Sequence, residues 1–197
     1  MQMIKLSSEV YVSDPCYDKG TWCQLHLKGL LPGNYHVIVD IHETYGRNSV
    51  LRITHESMLK GKDSNLRFNY LGEAAVDSGQ LGIFDAMSYR NDQYPVLPAK
   101  LHKSRKKQDE WVVGEYYKSK DKEGEDWYDR ITSYTCNTEN SWGTYDAGVV
   151  TSSGWGDGFY PVYSALNSDQ KIIALEIEFM SEENPEDDEW PEDEETE

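Results

Sequence analysis

Residues 158–180 read GFYPVYSALNSDQKIIALEIEFM. Two apolar runs flank Asn167-Ser168-Asp169, residues whose side chains bond back to nearby backbone and favour a turn. After it, Ile173, Leu175, Ile177 and Phe179 alternate with Glu176 and Glu178. A period of two marks a strand with one buried face and one outward face. The stretch is therefore an expected β-hairpin. It sets the fold class, because it ends the apolar part of the chain in antiparallel sheet rather than in a strand–helix unit.

Working outward, the same period recurs. Val10 and Val12 alternate with Tyr11 in EVYVSDP (residues 9–15), a strand that Pro15 stops. TWCQLHLKGL (21–30) reads as a second strand. Pro32-Gly33-Asn34 is turn chemistry. Beyond it Tyr35, Val37, Val39 and Ile41 share one face, with His36, Ile38, Asp40 and His42 on the other. NSVLRITHES follows the turn at Tyr45-Gly46, so residues 30–56 form a second expected hairpin. NLRFNYLG (65–72) is a further strand. AAVDSGQLGIFDAMSY (74–89) reads as strand, turn, then a short helix or strand from Ile83. TYDAGVVTSS (144–153) reads as one strand. Trp127, Ile131 and Tyr134 have helical spacing within residues 126–137. EWVVGEYY (110–117) suits a short strand or helix. Eight or nine strands with one or two short helices, and no regular alternation, exclude a doubly wound α/β fold. The expected fold is mainly β: a single antiparallel sandwich-like or barrel-like domain, with α+β as the alternative.

Charge is unevenly placed. The chain of 197 residues has net charge −17, and residues 182–197 hold eleven acids and no base. Residues 1–181 are expected to be one globular domain, and 182–197 a disordered acidic tail. The loop near 91–109 carries five cations within residues 100–107. It lacks interleaved aromatics and the whole-chain charge repels nucleic acid, so nucleic acid is not an expected partner. Three cysteines without a Cys-x-x-Cys pair suggest reduced thiols. No run of 18 apolar residues occurs and the first residues lack a signal-like apolar core, so the expectation is a cytoplasmic protein without a membrane partner.

Two segments, VDSGQLGIFD (76–85) and SGWGDGFYPVYSALNSDQKIIALEIEF (153–179), resemble the family called domain of unknown function 4241. VSDP (12–15) and LPGNYHVIV (31–39) are similar to its opening segments. The resemblance spans most of residues 9–180; the basic loop and the acidic tail depart from it. It implies one domain with a site region near these motifs, and no particular reaction. A phage or bacterial accessory protein would suit it.

These segments carry Asp14, Asp77, Asp85 and Asp157 in turn-like positions, Asp14 before Pro15, Asp77 two residues before Gly79 and Asp157 between Gly156 and Gly158. Glycine lets backbone approach a ligand and leaves the carboxylate unobstructed. If at least three of the four converged, they would hold a hard cation such as Mg2+ or Ca2+, which could activate water for hydrolysis. The plainer reading is that each caps a turn. Ser78, Trp155 and Tyr160 join the candidate binding residues by position in the motifs. His36, Asp40 and His42 could supply metal ligands from one strand face, though a polar strand face is ordinarily just solvated. Ser153 is outside any nucleophile-elbow pattern. Cys16 could be a nucleophile only with a His near it, and reads rather as a buried inert thiol.

No cofactor is required by these patterns. The leading expectation is a non-enzymatic accessory domain that binds a protein partner. A metal-dependent hydrolase and an acidic nucleic-acid mimic are the alternatives. Oligomeric state stays open.

Overall fold

The computed structural model describes residues 2–60, 66–93, 125–136 and 138–180. The basic run 100–107, EWVVGEYY and the acidic tail lie outside the described residues. The strands are β1 (Gln2–Leu6), β2 (Glu9–Ser13), β3 (Leu25–Lys28), β4 (Gly33–Ile41), β5 (Asn48–His55), β6 (Asn69–Val76), β7 (Gln80–Asp85), β8 (Trp142–Tyr145), β9 (Gly148–Ser152), β10 (Gly158–Leu166) and β11 (Ile172–Glu178). A helix, α1 (Glu125–Cys136), precedes β8. A 3-10 turn, Glu56–Lys60, follows β5.

The strands make two sheets, ordered β1-β4-β5-β11-β10-β6 and β3-β2-β7-β9-β8. Every pairing between named strands is antiparallel. The mainly β, sandwich-like expectation holds. Both expected hairpins form, β4 with β5 and β10 with β11. The inner faces meet in one core, including Leu6, Val12, Val37, Leu51, Ile83, Val162 and Leu175. The sheets also touch at both edges: Lys5 N donates to Asp146 O at 2.7 Å, and Ala75 N donates to Cys23 O at 3.1 Å.

Helix α1 covers the outer face of the five-stranded sheet. Trp127, Ile131 and Tyr134 pack there with Phe84, Tyr89, Tyr145 and Val150. Strand β7 is therefore buried at all six positions, which explains why its sequence does not alternate. Gly82 makes room for this layer: a Cβ there would lie 2.3 Å from the Phe84 ring.

Several local expectations need correction. Residues 21–24 are turn rather than strand, and β3 begins only at Leu25. Of the two readings from Ile83 the strand holds, within β7 from Gln80, and a turn follows Asp85. Residues 142–152 form two strands joined at Asp146-Ala147, not one. Strand β1 has no counterpart in the sequence reading. In β11 the register shifts opposite Ala165/Leu166. That bulge brings Ile172 into the sandwich core beside Leu175 and Ile177.

Candidate functional site

The motif segments meet at one corner of the sandwich. There the chain crosses between sheets twice, from β6 to β7 through Asp77-Ser78-Gly79, and from β9 to β10 through residues 153–157. The crossings lie side by side, because β6 pairs β10 in one sheet and β7 pairs β9 in the other. Each needs a sharp reversal, and Gly79, Gly154 and Gly156 supply left-handed backbone at φ 68°, 62° and 100°. Ser153 N donates to Gly79 O at 3.0 Å, and Gly79 N donates to Asp157 Oδ1 at 3.2 Å.

Asp14 ties the third segment to this corner. Its side chain is fully buried. Oδ1 accepts from Cys16 N and Ser78 Oγ, both at 2.7 Å. Oδ2 accepts from Asp77 N at 2.8 Å and Ser78 N at 2.7 Å. Four donors converge on one carboxylate, so the end of β2 is fastened to the β6–β7 crossing. Tyr160 OH donates to Gly156 O at 2.8 Å, and Ser153 Oγ to the same oxygen at 2.6 Å. Trp155 points away from the corner, meeting Tyr45 edge-on and Arg47 at 5.4 Å from its ring.

Asp85 lies at the far end of β7, on the order of 17 Å along the strand from Gln80. Its carboxylate makes a separate clasp, accepting from Ser7 N at 2.6 Å and Met87 N at 3.0 Å. Asp14, Asp77, Asp85 and Asp157 do not converge on one cation, and the turn-capping reading fits Asp14 and Asp85. Among the described residues, no three of His, Cys, Asp or Glu are placed to hold a metal ion. The reason is physical: Asp14 and Asp85 are turned onto backbone amides in different clasps. His36, Asp40 and His42 make no such group either; His42 Nδ1 accepts from Thr44 N at 3.2 Å.

Asp77 and Asp157 do come together, at an open cavity of about 390 Å³. Tyr17, Trp22 and Cys23 of the β2–β3 connection form one wall, and Ala75 and Val76 of β6 form another. Phe159 closes the rim, its ring centroid 6.2 Å from that of Trp22. Trp22 is 83% exposed and Phe159 57%. Burial, then the Asp77 carboxylate and the Cys23 thiol, raise the Tyr17 hydroxyl above its ordinary pKa, so it stays protonated. Burial, then the Asp14 and Asp77 carboxylates, push the Cys16 thiol up to about 12. No helix among the described residues is long and apolar enough to cross a membrane.

Of the lining residues only Asp77 and Asp157 are among the candidates that the sequence marks; the three aromatic ones, Tyr17, Trp22 and Phe159, are not. The available signal was DPCYDKGTW (14–22), in which turn residues carry two aromatics straight after the Asp-Pro step.

No curated protein and no solved structure matches the chain. A family model does, over residues 6–177, which takes in the five-stranded sheet, nearly all of the six-stranded sheet apart from β1, the corner and every residue lining the cavity. The chain belongs to the family described as protein of unknown function, DUF4241.

Proposed function

We propose that the protein is a non-enzymatic binding module that docks a partner protein on the face carrying Trp22 and Phe159. The observation that carries this reading is the pair of large rings left in solvent at the rim of a cavity. Exposed aromatic surface of this kind is what interfaces use as anchors. The carboxylates best shielded for acid–base work, Asp14 and Asp85, are engaged in holding turns, which supports a binding role over a hydrolytic one. Free cysteines at positions 16, 23 and 136 suit a reducing cytoplasm.

The test is crosslinking capture from the source cells, with the captured protein identified by mass spectrometry. A defined partner should be retained by the native chain and by Leu166→Ala, an exposed control at the far end of β10. It should be lost from the Trp22→Ala/Phe159→Ala variant. Equal recovery by all three would overturn the reading.

A further inference from the structure

Resting on that docking reading, we infer that the cavity receives an Arg or Lys side chain from a basic segment of the partner. Its walls divide by chemistry. Ala75, Val76 and the two rings offer apolar and π surface, while Asp77 and Asp157 offer negative charge. Among the described residues, no Lys, Arg or His lines it, and neither carboxylate takes part in an ion pair. Asp157 is held in place by its bond from Gly79 N.

An Arg or Lys side chain matches this division. Its methylene stem covers apolar wall while its head reaches the charged group. Indole is the strongest aromatic partner for a cation, and Trp22 stands at the entrance. The volume lies near the lower end of the roughly 300–1,000 Å³ typical of small-molecule sites, so one long side chain suits it. A purely apolar occupant would strip water from both carboxylates without return, and an anion would be repelled. The exposed rings extend beyond the cavity, as a surface meeting a polypeptide rather than a free amine would require. The net charge of −17 draws basic chains toward the molecule.

The experiment is an amide and indole NMR titration of the full chain. The probes are four peptides, Gly-Ser-X-Ser-Gly, with X being Arg, Lys, norleucine or Glu. The Arg and Lys peptides should shift the Trp22 indole and the Gly158 and Phe159 amides saturably, and more weakly as ionic strength rises. Norleucine and Glu peptides should leave these signals in place. Asp77→Asn and Asp157→Asn should each weaken the Arg peptide by up to about fivefold, with the remaining spectrum reporting an intact fold. Norleucine binding as tightly as Arg, or Arg binding unchanged in the double Asn variant, overturns the cationic inference and leaves the docking reading standing. The cationic inference also falls alone if no peptide moves these signals while Trp22→Ala/Phe159→Ala still releases the partner. If that variant keeps its partner, both fall.

Discussion

At the scale of single residues, Asp14 bears most of the corner. A carboxylate with four donors cannot be replaced by a side chain lacking oxygens without orphaning amides. Asp14→Ala strands Cys16 N, Asp77 N and Ser78 N, and each unsatisfied group costs about 1–3 kcal/mol. The expected loss is about 3–5 kcal/mol, read by urea denaturation. Ser78→Ala removes one hydroxyl donor and should cost only about 1 kcal/mol. Equal losses in the two variants would contradict the assigned geometry. The same carboxylate acts on Cys16. With its thiol pushed up to about 12, Cys16 holds almost no thiolate at about pH 8, and iodoacetamide alkylates only the thiolate. Cys136 is exposed, so it should label much faster than Cys16, as peptide mapping would report. Asp14 and Asp157 were legible as turn-borne residues from their Pro and Gly neighbours, and Asp77 from the Ser-Gly after it, whereas Asp85, between Phe84 and Ala86, had no such local mark. Whether a carboxylate faces an amide or a ligand depends on which distant segment folds against it, and no local pattern records that.

At the scale of elements, the two crossings explain why the Ser-Gly-Trp-Gly-Asp-Gly stretch holds its glycines, and they separate the glycines by role. A Cβ on Gly154 would lie 2.8 Å from Asn48 O, 2.9 Å from Met180 Cγ and 3.1 Å from Phe179 Cβ. A Cβ on Gly156 would meet nothing within 4 Å. Gly154→Ala therefore carries both left-handed strain and overpacking, about 2–4 kcal/mol. Gly156→Ala carries strain alone, about 1–2 kcal/mol. Thermal melts of the pair check the order, and a reversed order would mean the crossing is built differently. The hairpins were readable because one face of each is wet, so hydrophobic alternation survives. Strand β7 lies between a sheet and a helix, which erases that alternation. Strand β1 shows only Ile4 and Leu6 to the core, too few to stand out. The step from one sheet to the other at Asp77-Ser78-Gly79 looks in sequence like any tight turn, because nothing local states which sheet the next strand joins.

At the scale of the whole molecule, aromatic residues bind the layers together. Tyr35 lies in the sandwich core, donating its hydroxyl to Leu31 O at 2.8 Å. Tyr89 and Tyr145 link the five-stranded sheet to α1. Burial raises the pKa of Tyr35, Tyr89, Tyr134, Tyr145 and Tyr160 above the tyrosine norm, Tyr134 to about 12. A protonated tyrosine is neutral, and the folded state keeps these protons where an unfolded chain would release them, above about pH 10. Their contribution is therefore fully present below about pH 10 and is lost as pH rises through the folded values. Each such group removes about 1.4 kcal/mol per pH unit, against a domain stability of about 5–15 kcal/mol. Tyr35, Tyr89, Tyr134 and Tyr145, the four raised furthest of this set, should together unfold the protein cooperatively between about pH 10 and 12. Tyrosinate absorbance from the buried set should then rise in step with loss of the far-ultraviolet sheet signal. Ionisation of those tyrosines with the sheet signal intact would show that water reaches the two cores, and the layered packing would have to be redrawn.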